Sequence, residues 1–318
     1  MIPEAALKKL GENCDYRIWE GELAVPRDVL LREVMPVDAI LSLLTDKVDA
    51  GLMDAAPRLR LVSNLAVGFD NIDVREATKR KIVVCNTPEV LTETTADFAF
   101  AMMLAAARRV AEGDKVVRAG GWKTWGPMIL LGTDVHEATL GILGLGRIGV
   151  GVAQRAKGFR MRVIYYDAFR RPELETQLGI EYVGFRVLLE QSDFITIHTP
   201  LLPETHHLIS DDQFKLMKRT AILINTARGP IVDPKALYRA LSKKLIAYAA
   251  LDVTEPEPIP VDDPLLTLEN IIVTPHIASA STATRTEMAI MAVDNLLAGL
   301  RGEKPSHVAN PEVLSNRA

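Results

Sequence analysis

"TLGILGLGRIGVGVAQRAKG", residues 139–158, decides how this chain folds. A β-prone run leads into Gly144-x-Gly146-x-x-Gly149, and a helical pattern follows. Such a triplet alone is a weak signal, because short glycine spacings recur by chance. A dinucleotide-binding turn also needs a strand before it, a helix after it, an acidic residue ~20 positions on, and a continuing βαβ series. The flanking patterns meet the first two needs, and Asp167 in "VIYYDAF", 18 residues after Gly149, meets the third. The competing reading, glycines that serve packing alone, leaves Asp167 without a role. In the dinucleotide reading Gly144 permits the tight turn, Gly146 lets backbone approach a pyrophosphate, and Gly149 lets helix pack close to strand. Arg147 and Ile148 then open the helix whose free N–H groups bind phosphate oxygens. Asp167 favours NAD, because its carboxylate repels a 2'-phosphate. Arg170 and Arg171 follow closely and can accept that phosphate, so the cofactor expected is NAD or NADP.

Outward from this turn, the same alternation fills the chain. From residue 15 the runs "DYRIW", "PRDVLLREV", "AILSLL", "DAGLMDAA", "LRLVSNLA", "NIDVREATKR" and "IVVCNT" alternate β-rich and helical patterns, as parallel strands with crossover helices do. Residues 91–121 read as one long helix ending at Gly120-Gly121. After the glycine turn come "RVIYYD", "PELETQLG", "FRVLLEQS", "FITIH", "DDQFKLM", "AILINT", "DPKALYRALSKK", "AYAALD" and "NIIVTP", a second doubly wound series. The stretch "STATRTEMAIMAVDNLLAGLRGE" is another long amphipathic helix that returns to the first domain.

The fold expected is therefore α/β, with two doubly wound parallel-sheet domains. A Rossmann cofactor domain, 92–278, is inserted into a flavodoxin-like substrate domain, 1–91 and 279–318. Only Met1 and Ile2 precede the first helical pattern, so the opening strand of a 2-1-3-4-5 sheet is missing from the sequence. The expectation is that the natural chain begins about ten residues earlier, or that another segment fills the gap.

Composition excludes several classes. With 318 residues there is room for two domains. The 37 basic against 41 acidic side chains leave a net charge of -4, and no basic stripe with interleaved aromatics offers a nucleic-acid surface. The longest apolar run, "FAFAMMLAAA" at 98–107, is about half the ~20 residues that cross a bilayer, so no membrane is expected. The first residues carry no secretory pattern, and cytoplasm is the location expected. Cys14 and Cys85 form neither a disulfide framework nor a metal-ligand spacing and read as buried fillers.

Ligands in open α/β sheets bind outside the carboxyl ends of the strands. Three chemically capable side chains fall there: Arg228 in "INTARGPIVD", Glu257 in "LDVTEPEPIP" and His276 in "VTPHIASAS". Hydride transfer to a 2-oxo acid needs a cation for the carboxylate and carbonyl and an acid for the new oxyanion. Arginine grips a carboxylate bidentately, and a carboxylate beside an imidazole favours the charged ring. Taken singly, the three could equally be a capping arginine, a solvated glutamate and a satisfied histidine.

Together with the glycine turn, these motifs resemble the D-2-hydroxyacid dehydrogenases over nearly the whole chain. Within that family the chain is most similar to the glyoxylate/hydroxypyruvate reductases, through "GGWKTWGPMILLG", "LDVTEPEPIP", "DDPLLTLEN" and "NLLAGLRGE". The resemblance implies a substrate-binding arginine at Arg228, a proton donor at His276 and its paired carboxylate at Glu257. Asp252 matches the position that binds the nicotinamide carboxamide. His198, Thr199 and Pro200 fall in the adenosine-side loop, Thr226 and Ala227 line the nicotinamide side, and Thr95 lies near the nicotinamide. Val67 and Gly68, in "NLAVGFDNIDV", match the backbone amides that bind the substrate carboxylate, and Ser279 joins the substrate set. Phosphite dehydrogenases share the "GFDN" context but carry lysine at the position of Val67, so phosphite is disfavoured. Trp125 matches a residue that reaches the partner subunit's active site and limits substrate size; packing at a dimer interface is its other reading.

No metal is expected. Adjacent His206 and His207 suggest one, but the sequence shows no cysteine or carboxylate that completes a site, and a surface loop is the reading adopted. The function expected is NAD(P)H-dependent reduction of a small 2-oxo acid, glyoxylate or hydroxypyruvate, by a homodimer. The alternatives are a dehydrogenase for another D-2-hydroxy acid and a dinucleotide-sensing, corepressor-like scaffold.

Overall fold

A computed structural model describes residues 2–315. The expectation about what precedes Met1 lies outside these residues. Two compact units divide the chain: Met1–Leu91 with Ala280–Ala318, and Thr92–Ser279.

The first unit opens with α1 (Glu4–Gly11) and α2 (Arg27–Glu33), followed by β1 (Ala39–Ser42), α3 (Ala50–Ala55), β2 (Leu61–Asn64), α4 (Val74–Lys79) and β3 (Val83–Cys85). The strands form a parallel sheet in the order β1-β2-β3. Asp49 and Asp73 cap α3 and α4 through bonds to Leu52 N and Glu76 N, which satisfy donors that a helix start leaves orphaned. Its core gathers Val48, Leu52, Val62, Ala77 and Val84.

The run 15–19 forms no strand, contrary to its β-rich composition. Tyr16, Ile18 and Trp19 are exposed instead. In a 2-1-3-4-5 order this run would pair only with the opening strand. Among the described residues it has no ladder to join, and an isolated strand leaves its backbone groups unpaired. Among the described residues the sheet accordingly has three strands of the flavodoxin-like order rather than five.

The second unit begins with α5 (Thr92–Ala107) and α6 (Val110–Arg118). One continuous helix was expected over 91–121; two are observed. The carbonyl of Ala107 accepts from Thr133 N rather than from a following helical turn, and Arg109 adopts a left-handed conformation, φ 53°. Burial separates the two pieces. Eight residues of α5 are buried, whereas α6 buries none, so the chain leaves the core where its composition turns charged.

Then follow β4 (Thr139–Leu143), α7 (Arg147–Gly158), β5 (Arg162–Tyr166), α8 (Pro172–Leu178), β6 (Glu181–Tyr182), α9 (Phe185–Gln191) and β7 (Phe194–Ile197). After them come α10 (Asp211–Leu216), β8 (Ile222–Asn225), α11 (Pro234–Ser242), β9 (Tyr248–Leu251) and β10 (Ile271–Val273). Seven parallel strands align as β10-β9-β8-β7-β4-β5-β6. The order reverses between β4 and β7, which is the switch point where such sheets take ligands. β4, β7, β8 and β9 are nearly continuous apolar runs because apolar clusters cover both faces of the sheet.

The chain closes in the first unit with α12 (Thr282–Leu300) and α13 (Glu312–Ser315). Ser63 Oγ donates to the carbonyl of Ala292 at 2.7 Å, and a Cβ on Gly299 would lie 2.1 Å from Leu61, so α12 sits directly on β2. Buried Asn310 covers the outer edge of β3, accepting from Val84 N and donating to Ile82 O.

Candidate active site

The glycine turn lies at the carboxyl end of β4, on one side of the switch point. Gly144 has φ 92°, and a Cβ there would meet the backbone of His198 and Thr199 at 2.8 Å. A Cβ on Gly149 would lie 2.3 Å from the carbonyl oxygen of Gly144, so helix and strand approach as only glycine allows. Gly146 differs: nothing lies within 4 Å of where its Cβ would be. No side chain caps the start of α7, where Arg147 and Ile148 follow Gly146. An open cradle and uncapped helical N–H groups fit a pyrophosphate.

Asp167 directly follows β5, where a ribose-binding carboxylate is expected. Its Oδ2 accepts from Leu145 N at 2.7 Å, which ties it to the glycine turn. Arg170, a candidate for a 2'-phosphate, is held by both oxygens of Glu175 at 2.9 and 2.8 Å. At the end of β7, desolvation pushes the His198 imidazole down to about 3, so the ring is neutral and pairs with Thr196 Oγ1 at 2.9 Å. Thr199 and the exposed Pro200 continue this loop.

The three catalytic candidates leave β8, β9 and β10. After β8, the buried side chain of Asn225 accepts from Ala227 N and donates to the carbonyl of Arg228, which sets the turn presenting that arginine. Gly229 follows; a Cβ there would stand 1.9 Å from the carbonyl oxygen of Thr254. The Arg228 turn thereby seats against the loop that carries Glu257. His276 Nδ1 and Glu257 Oε1 are 2.6 Å apart. Burial acts to raise the Glu257 carboxyl, but the His276 hydrogen bond and charge, the Thr254 amide and the Arg228 charge outweigh it and hold the group below the usual range. Glu257 is thus ionised, and Nδ1 of His276 is the donor to it.

His276 occupies the left-handed region, φ 53°, which costs a non-glycine residue about 1–3 kcal/mol and persists only where its surroundings impose it. Asp252 imposes it. Buried at the end of β9, its carboxylate accepts from Thr274 Oγ1 at 2.6 Å, Ile277 N at 2.9 Å and Ala278 N at 2.7 Å, while its carbonyl accepts from His276 N. Asp252 therefore positions the histidine, a role that the sequence did not reveal. Asn225 and Gly229 were also missed; the only signals were an asparagine closing a strand and a Gly-Pro pair.

Among the described residues the buried Thr226 hydroxyl has no hydrogen-bond partner, an orphaned polar atom beside Ala227 at the carboxyl end of β8. Such an atom fits a site built for a polar ligand such as a nicotinamide. Thr95 is buried in the first turn of α5, and Ser279 follows the Asp252-bound turn half-buried. Val67 and Gly68 belong to the first unit, where their carbonyls accept from Asn86 and Asn64 side chains. Trp125 is 78% exposed. The reading of His206 and His207 needs correction: Glu255 supplies the carboxylate that the sequence did not place beside them.

Residues 100–278 match the family model described as the D-isomer specific 2-hydroxyacid dehydrogenase, NAD binding domain. A glyoxylate reductase of Korarchaeum cryptofilum is 56% identical over 317 residues, 99% of this chain and 96% of that relative. The TT0316 protein of Thermus thermophilus superimposes with a TM-score of 0.92 at 43% identity over 97% of each chain. A D-lactate dehydrogenase of Aquifex aeolicus, solved with NAD and lactic acid, gives 0.84 at 31% identity over 96% of this chain and 94% of that one. The chain belongs to the D-isomer specific 2-hydroxyacid dehydrogenase family. It is accordingly an oxidoreductase with an NAD(P)-binding Rossmann domain.

Proposed function

We propose that this enzyme reduces glyoxylate, and hydroxypyruvate as a second substrate, to the corresponding 2-hydroxy acids. One observation carries the chemistry: the ionised Glu257 on His276 Nδ1, with Arg228 charge reaching the same carboxylate. The identity to a glyoxylate reductase supports the substrate class. Reduced NAD(P), when bound, supplies the hydride. Arg228 holds the substrate carboxylate and polarises the carbonyl. His276 Nε2 gives its proton to the carbonyl oxygen as that oxygen gains negative charge, and Glu257 stabilises the imidazolium before transfer. Asp252 keeps the ring in place, and the resulting imidazole regains its proton from solvent.

The test is loss of reduced-cofactor absorbance with glyoxylate, hydroxypyruvate, pyruvate and bulkier 2-oxo acids, each run with NADH and with NADPH. Glyoxylate and hydroxypyruvate are expected to give the highest kcat/KM, with NADH the better donor because Glu175 occupies Arg170. A preference for bulky acids, or no turnover with any acid, overturns the reading.

A homodimer is part of the proposal. Val110 and Val117 on α6, with Trp122, Trp125, Met128 and Leu131 beyond it, are all exposed. Apolar groups concentrated in one segment of chain favour covering by another protein surface, and a second copy is the simplest one. Sedimentation should give a dimer, and Val117→Glu with Trp122→Glu should give a monomer; a monomeric parent protein overturns this. Cytoplasm is the compartment proposed, since Cys14 and Cys85 are unpaired and burial pushes the Cys85 thiol up to about 12.

A further inference from the structure

We infer that His206, His207 and Glu255 form a binding site for one divalent transition-metal ion, of which Zn²⁺ is the reference case. The cluster lies outside the residues assigned to hydride transfer, and its test reads binding rather than turnover. His207 Nε2 lies 2.7 Å from Glu255 Oε2, and His206 Nε2 lies 3.7 Å from Glu255 Oε1. The three ligand atoms all lie within 4.8 Å of one another. With metal–ligand bonds of about 2.0–2.2 Å, a tetrahedral ion needs donors roughly 3.3–3.6 Å apart, so changes in separation of about 1 Å bring these atoms into place.

Local structure presents the donors together. His207 holds a left-handed backbone, φ 50°, with its N–H on the carbonyl of Pro230 at 2.7 Å. The His206 N–H donates to Leu202 O, and the two imidazole rings lie 4.0 Å apart, centroid to centroid. Both Nε2 atoms consequently face one carboxylate. Imidazole and carboxylate donors suit zinc and its neighbours, and two histidines with one glutamate leave a coordination position for water. His206 is the most exposed of the three, which gives an ion its path of entry. The ion would replace the His207–Glu255 hydrogen bond with bonds to all three side chains. It would clamp the segment after β7 to the segment after β9, two residues before Glu257.

The experiment uses full-length, tag-free protein stripped with chelator and titrated with Co²⁺, followed by Zn²⁺ competition and equilibrium dialysis. One ion per chain, visible d–d absorption of low-coordinate Co²⁺ and a rise in melting temperature with Zn²⁺ are expected. His206→Ala and Glu255→Gln, checked for native circular dichroism, should each weaken binding about tenfold or more, since losing a direct ligand costs at least as much as losing an outer partner. Absence of stoichiometric binding would leave the cluster a hydrogen-bonded clamp. Binding unchanged in both variants would place the ion elsewhere. Either result overturns the assignment.

Discussion

His276→Ala is expected to lower kcat for 2-oxo acid reduction by about 10²–10⁴-fold, the contribution typical of a positioned general acid. KM should change far less, because in the proposed mechanism Arg228 still holds the substrate carboxylate. Asn at the same position should not restore turnover, since an amide cannot cycle a proton. The pH profile adds a second readout. Glu257 titrates below the usual glutamate range, so its pairing with His276 persists as acid is added through that range. The sign follows from linkage: a depressed carboxyl contributes its interaction above the unfolded value and loses it only as pH falls through the folded one. In the parent enzyme the decline in kcat/KM due to this pair should therefore fall at lower pH than an ordinary glutamate would give. Glu257→Gln should abolish that acid dependence and slow the enzyme less than His276→Ala does. Steady-state kinetics across pH decide the matter; a His276→Ala enzyme within threefold of the parent removes the histidine from the chemistry.

Gly229→Ala should be the most damaging single methyl addition in the second unit. Its Cβ would lie 1.9 Å from the carbonyl oxygen and 2.2 Å from the carbonyl carbon of Thr254. Both obstacles are backbone, so no side chain can rotate aside, and the two loops must part. Overpacking of this kind costs about 1–3 kcal/mol, and a backbone clash belongs at the upper end. The same separation moves Arg228 away from Glu257 and His276, and a displacement of about 1 Å in a catalytic group can cost 10²-fold in rate. Thermal unfolding and kinetics together test this: a lower melting temperature with kcat/KM down about a hundredfold is expected. Parent-like values in both would mean that the close approach does not organise the site. Gly146→Ala is the contrasting case, since its Cβ meets open space and the fold should be preserved while cofactor binding weakens.

Much of the second unit was legible because parallel strands buried on both faces are nearly continuous apolar runs, and glycine and acidic residues mark their ends. Arg228, Glu257 and His276, the residues proposed for catalysis, lie just past those ends. Where legibility failed, the cause was non-local. The break at Arg109 depends on Thr133 taking the carbonyl of Ala107, a bond between residues 26 apart. The exposed run at 15–19 has strand-forming composition but, among the described residues, no strand beside it. The carboxylate for His206 and His207 comes from position 255, beyond two further strands.

Local pattern alone determined the α/β class, the dinucleotide turn and the identity of the three side chains proposed for catalysis, because apolar periodicity and backbone-demanding glycines are written residue by residue. Only the tertiary structure decided how those groups are used. Asp252 steadies His276, Gly229 brings two loops together and Glu255 meets the paired histidines because the order of strands in the sheet, rather than distance along the chain, sets which loop ends become neighbours.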